Sequence, residues 1–126
     1  MQLMVVILMV LVAVAVVSPE GMKSELNDHF GMAEDFALFD YDHGAVTGLR
    51  FVSNDPSVEG AKTNADILVD NDVKIVLAGS IGPHMLAILL DKGIRVFKGA
   101  QGTLEDAIED HKAAMLTEVH TPGEMW

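Results

Sequence analysis

The chain contains no cysteine among its 126 residues. That removes disulfides, thiolate nucleophiles and any all-cysteine zinc or iron–sulfur site. His, carboxylate, Met and backbone groups remain as metal donors. Basic residues are scarce too: eight Lys and Arg against 19 Asp and Glu give a formal net charge of −11. With no basic patch to neutralise phosphates, the composition argues against nucleic-acid binding. Neither a Walker A sequence nor a GxGxxG fingerprint is present, and Ser18, Ser24 and Ser80 have no nucleophile-elbow context.

What is present is apolar. Half of the residues are hydrophobic, enough for one domain with a real core. Residues 3–17 include no polar side chain. The run is short for a transmembrane helix, and only Gln2 precedes it where a signal peptide carries basic residues. Its Val, Ile and Ala content fits a buried strand over residues 10–17, preceded by a hydrophobic extension, residues 1–9. A cytoplasmic protein is expected and membrane association is not, although the extension leaves an anchor open.

The centre of the chain is residues 73–90. Ile75, Val76, Leu77 and Ala78 form a short apolar run rich in β-branched residues, suited to a strand covered on both faces. Gly79 and Gly82 allow a tight turn, Pro83 suits a first helical turn, and Met85, Leu86, Leu89 and Leu90 give a helical stripe ended by Gly93. A glycine turn from strand to helix leaves backbone N–H groups at the strand's carboxyl end, where open α/β sheets hold ligands and helices favour anions. An ordinary βα turn has the same appearance.

Around this unit the pattern predicts a long loop over residues 20–34, a hairpin of strands 36–40 and 46–52 turning at Asp42-His43-Gly44, and a helix over residues 60–70 with Ala61, Ala65, Leu68 and Val69 inward. A strand over residues 94–97 follows. The last helix begins at Leu104 behind an approximate Thr103–Asp106 capping box and reaches Ala114 and Met115. The expected fold is a three-layer α/β domain, residues 10–118, with a mixed five-stranded sheet in the order β-β-β-α-β-α-β-α. Residues 119–126 are expected to form a flexible tail.

Two histidines stand near possible chemistry. His29 lies in Asn27-Asp28-His29-Phe30-Gly31, where a neutral imidazole can ligate iron, zinc or copper, or can simply be a surface residue beside a packing Phe. His84 follows Pro83, where it can face an anion held by the Gly79–Gly82 turn or can be an exposed first-turn residue.

Taken together, SPEG, HFG with Ala33 and Phe36, FALFDYD, IVLAGSIGP, KGIRVFKG and GTLEDAI resemble the dinitrogenase iron–molybdenum cofactor biosynthesis family, the NifX, NafY and NifB C-terminal type of domain. The resemblance spans about residues 12–114. It implies a ribonuclease-H-like fold and a non-enzymatic protein that binds iron–molybdenum cofactor or an iron–sulfur precursor and passes it to a cofactor-assembly or acceptor protein. On that fold a two-metal nuclease needs carboxylates on its first strand, and residues 12–17 supply none. His29 matches the histidine of the HFG motif and is the implied metal ligand, with Phe30 and Gly31 beside it. Gly79, Gly82 and Pro83 match the glycine turn. Ser80 and His84, read from the turn itself, complete the candidate cofactor-binding set. Met32 stands where family members often carry a basic residue. A metal-free protein-interaction or regulatory domain of the same fold is the alternative.

Overall fold

In a computed structural model, residues 9–55 and 57–125 are described. The elements in chain order are β1 (Val10–Val16), β2 (Asp35–Asp42), β3 (Ala45–Ser53), α1 (Asn64–Asp70), β4 (Ile75–Ala78), α2 (Pro83–Asp91), β5 (Arg95–Lys98), α3 (Leu104–Lys112) and β6 (Thr117–Val119), with 3-10 helices at Phe30–Met32 and Pro122–Met125. They form one mixed sheet in the order β3-β2-β1-β4-β5-β6. β1, β4 and β5 run parallel at the centre, while β2, β3 and β6 are antiparallel to their neighbours.

β1 is a strand because it is central. It pairs with β2 on one side and β4 on the other, and Val12 to Val16 are all buried. A strand covered on both faces shows no polar alternation. The preceding extension, residues 1–9, lies outside the described residues except for Met9. Among the described residues no helix is long and apolar enough to cross a membrane. The hairpin turn is His43-Gly44, with φ of 49° and 90°. Two positive φ values in a two-residue loop match the twist of the strands it joins.

Alternate side chains of the sheet feed two core layers. Ala13, Ala15, Phe36, Leu38 and Val76 pack under α1 and α2 through Leu68, Leu86 and Leu89. Val12, Val14, Phe39, Ile75 and Leu77 pack under α3 through Leu104, Ala107 and Ile108. On that second face His111 lies against the rings of Tyr41 and Phe97, with centroid separations of 5.1 and 4.9 Å. Burial there, and then the cationic Arg95, lower its pKa below the usual histidine value.

The structure departs from the sequence reading in three places. The sheet has six strands, not five. Residues 117–119 add β6 to the outer edge of β5, where Arg95 forms a bidentate pair with Glu118 at 3.0 and 2.7 Å and Val119 is buried. Part of the expected tail is therefore structured, and a short 3-10 helix follows. α1 starts at Asn64, because Thr63 accepts the Asp66 N–H and caps the helix there; Ala61 is exposed. α3 stops at Lys112, since Ala114 takes a φ of 57° and Met115 points to solvent. The Thr103–Asp106 capping box is complete, with both reciprocal bonds made.

Candidate functional site

Three chain reversals meet at the carboxyl ends of β1, β4 and β5. The first is the long segment after β1, which is stitched down. Val17 N–H donates to the Glu25 carbonyl and Asn27 N–H to the Ala15 carbonyl, both at 2.9 Å. Leu26 N–H donates to Gly102 O and Leu104 N–H to Ser24 O, tying the loop to the start of α3. Ser24 is fully buried, and its hydroxyl accepts from Glu20 N–H and donates to Gly21 O, both at 2.7 Å. Composition made this segment look unstructured; its backbone bonds give it fixed geometry.

The segment then delivers Asp28, His29 and the 3-10 turn. Asn27 Oδ1 accepts the His29 N–H at 2.8 Å. Phe30 turns inward, buried, and meets Phe36 edge to face at 5.2 Å. That anchor leaves the His29 ring exposed. Beneath the turn lies Asn64, 1 % exposed. Its Nδ2 donates to the carbonyls of Phe30, Gly31 and Ala33 at 2.9, 3.2 and 3.0 Å. Its Oδ1 accepts from Asn54 Nδ2 at 2.9 Å, and Asn54 N–H donates to Glu34 O. One buried amide therefore serves the Gly31 and Ala33 carbonyls and adds a second bond to Phe30 O, which also accepts the Ala33 N–H at 3.3 Å. The sequence reading did not single out Asn64. A polar residue directly after a Thr cap was the available signal.

The second reversal is the turn after β4. A Cβ on Gly79 would lie 2.9 Å from Ala100 O and 3.1 Å from Asp28 Oδ1. The three reversals are in van der Waals contact at this point, and only a residue without a side chain fits. The third reversal, after β5, is held there by Ala100 N–H donating to Ala78 O at 3.0 Å.

α2 then begins at Gly82, which has no side chain to cap it, with Pro83 in the first turn. The N–H groups of this turn are thus open to solvent or to a ligand. Between α2 and the His29 segment runs an open cleft of about 410 Å³. One wall is Asp28 to Met32, and the other is Gly82, His84 and Met85. Of the seven candidate cofactor-binding residues, His29, Phe30, Gly31, Gly82 and His84 line this cleft. Gly79 lies under its Asp28 shoulder. Ser80 is exposed but is not part of the lining. Met32, 65 % exposed, and the half-buried Met85 also line it.

Among the described residues no group of three or more His, Asp or Glu could hold a metal ion. His29 and His84 share the cleft with a single carboxylate, Asp28. The arrangement places two imidazoles and the uncapped start of α2 around one cleft.

Comparison with known proteins agrees with this architecture. The crystal structure of the protein PH0822 superposes with a TM-score of 0.73 and 26 % identity, over 89 % of this chain and 98 % of that one. The NMR structure of a candidate NifB protein from Thermotoga, placed in the DUF35 family, superposes with a TM-score of 0.71 and 24 % identity, over 89 % of this chain and 95 % of that one. An uncharacterized protein of Methanocaldococcus jannaschii is 22 % identical over 90 residues, 69 % of this chain and 76 % of its own length. The model of the family described as dinitrogenase iron–molybdenum cofactor matches residues 10–114, from the first residue of β1 to just past α3. The chain belongs to the dinitrogenase iron–molybdenum cofactor family.

Proposed function

We propose that the chain is a non-enzymatic carrier for an iron–sulfur or iron–molybdenum type cluster, acting in cofactor assembly and handing its cargo to an acceptor protein. Family membership and the candidate NifB protein among its structural neighbours support the assembly role. The observation that carries the reading is the cleft that joins the His29 segment to the start of α2. A preassembled cluster supplies its own sulfides, so absence of cysteine does not bar it. His29 serves as a ligand or hydrogen-bond donor, His84 faces it, and the first-turn N–H groups of α2 stabilise its negative charge. An open, exposed cleft suits a cargo that must leave.

Anaerobic incubation with iron and sulfide, followed by absorption spectroscopy, tests this. Wild type is expected to take up a cluster and His29→Ala to take up much less. Equal uptake in the two, or none in either, overturns the proposal. One observation favours a second reading, a metal-free interaction domain: no three-ligand group exists among the described residues. A partner retained on the immobilised protein in excess chelator would support that alternative.

A further inference from the structure

The sheet ends on two edges, and they differ. β6 is three residues long, too short to template another strand. β3 is nine residues long, Ala45 to Ser53, and pairs with β2 on one side alone. Among the described residues no backbone bond outside the β2–β3 ladder involves residues 45–53. The outer N–H and C=O groups of β3 are thus left to water or to another strand. On a chain of net charge −11, residues 45–53 hold no acid and one cation, Arg50. Acidic copies repel one another, and an acid-free edge lowers that cost locally.

The side chains fit a second β3. Val46, Leu49 and Phe51 are half-buried against the α3 layer, and Val52 packs on the α2 side. Val46 and Leu49 share a face despite their odd spacing because the ladder slips between Leu38 and Asp40, where Gly48 has a φ of 66°. Consider another β3 laid antiparallel about a two-fold axis between Gly48 and Leu49. Ala45 then opposes Val52, Val46 opposes Phe51 and Thr47 opposes Arg50 of the second copy. Each pair lies on one face of the joined sheet, as directly opposite residues must. An axis one residue away sets Val46 against Val52, from opposite faces.

Charge agrees with this register. Within its own chain Arg50 approaches Asp40 Oδ2 only to 3.9 Å. The Asp40 carboxylate lies over Gly48, 2.8 Å from where a Cβ would be. With no side chain at Gly48, the carboxylate is open towards the edge. Arg50 of each copy stands two strand spacings from Asp40 of the other, about 10 Å between Cα atoms. An extended arginine spans that beside Thr47.

We infer that β3 is a self-complementary edge through which two copies of this chain pair antiparallel, joining their six-stranded sheets. Such an isologous contact closes on itself. Strand pairing buries a small area, so the dimer is weak and concentration-dependent. It uses no residue that lines the His29 cleft, so both clefts stay open. The inference goes beyond the proposed function and does not depend on it.

Sedimentation velocity of the full chain, from low to high micromolar concentration, is expected to show monomer passing to dimer. Arg50→Glu should weaken dimerisation about ten-fold or more, since it sets acid against Asp40 of the second copy. Asp40→Arg/Arg50→Glu exchanges the two charges and should restore it. The absence of cysteine lets the register be read directly. Ala45→Cys and Val52→Cys, made separately and then mixed and oxidised, should cross-link well ahead of either variant alone. A wild type that stays monomeric throughout overturns the inference. So does a dimer indifferent to Arg50→Glu, a charge exchange that leaves the folded variant monomeric, or cross-linking no faster in the mixture than in its parts. A dimer lost on removing residues 2–8 but intact in Arg50→Glu assigns the contact to the N-terminal extension and overturns it as well.

Discussion

Asn64→Ala should loosen the cleft wall from beneath. The side chain donates to three carbonyls and accepts one amide bond, and it is almost wholly buried. With two amide hydrogens and three acceptors, one bond is shared, so the loss is smaller than three full bonds. Ala in its place leaves Ala33 O without this donor in a buried setting. Phe30 O keeps only the Ala33 N–H at 3.3 Å, and the partly buried Gly31 O can turn to water. At about 1–3 kcal/mol for a stranded buried acceptor, plus a small cavity, the cost should be about 2–4 kcal/mol. That is a large part of a typical domain's stability of about 5–15 kcal/mol. Urea unfolding monitored by circular dichroism should show a lower midpoint with an unchanged slope. Hydrogen exchange should speed up around residues 30–34 more than in β4. A variant within about 0.5 kcal/mol of wild type, the range of an ordinary surface change, would refute the assignment of Asn64 as the clamp of this turn.

Gly79→Ala should push Asp28 or the Ala100 peptide away by a few tenths of an ångström, costing about 1–3 kcal/mol as overpacking does; an unchanged melting temperature would show that the three reversals are not in contact. Thr103→Ala should cost about 1 kcal/mol by opening the capping box of α3, read as a shift in urea midpoint. The depressed pKa of His111 gives a defined pH dependence. Its protonated form is disfavoured in the fold, so the unfolded chain binds more protons between the folded value and the ordinary value of about 6.5. Stability from this group is complete above about pH 6.5 and is lost as pH falls through the folded pKa. The melting temperature of wild type should therefore fall between roughly pH 7 and pH 5 more steeply than that of His111→Phe; parallel profiles would count against it.

Local signals carried much of the fold. β4 is a continuous apolar run opening with two β-branched residues and appears as expected from the sequence, and the glycine turn, the Pro83 helix start and the Thr103–Asp106 box are each encoded within a few neighbours. β6 was not legible, because a three-residue edge strand of Thr, Glu and Val has too little pattern to separate from a tail. The sequence pattern extends α1 over Gly60 to Lys62, which continue an amphipathic register that the Thr63 cap overrides. The site divides in the same way. The HFG segment and the glycine turn stood out by type, and the fold brings five of the seven named residues into one cleft. Asn64 did not stand out, since its acceptors lie 31–34 residues away. Met32 and Met85 read as a departure and a helix stripe until the cleft set them beside two histidines.

The central claim is that metal cargo sits between the His29 segment and the start of α2. Paramagnetic broadening in a nitrogen–proton correlation spectrum of the reconstituted protein tests it without presuming any ligand. The account predicts that amide signals of residues 28–32 and 79–85 disappear while those of α3 and the His43 turn remain sharp. Broadening centred on α3 or the His43 turn, or a spectrum unchanged by reconstitution, would contradict it.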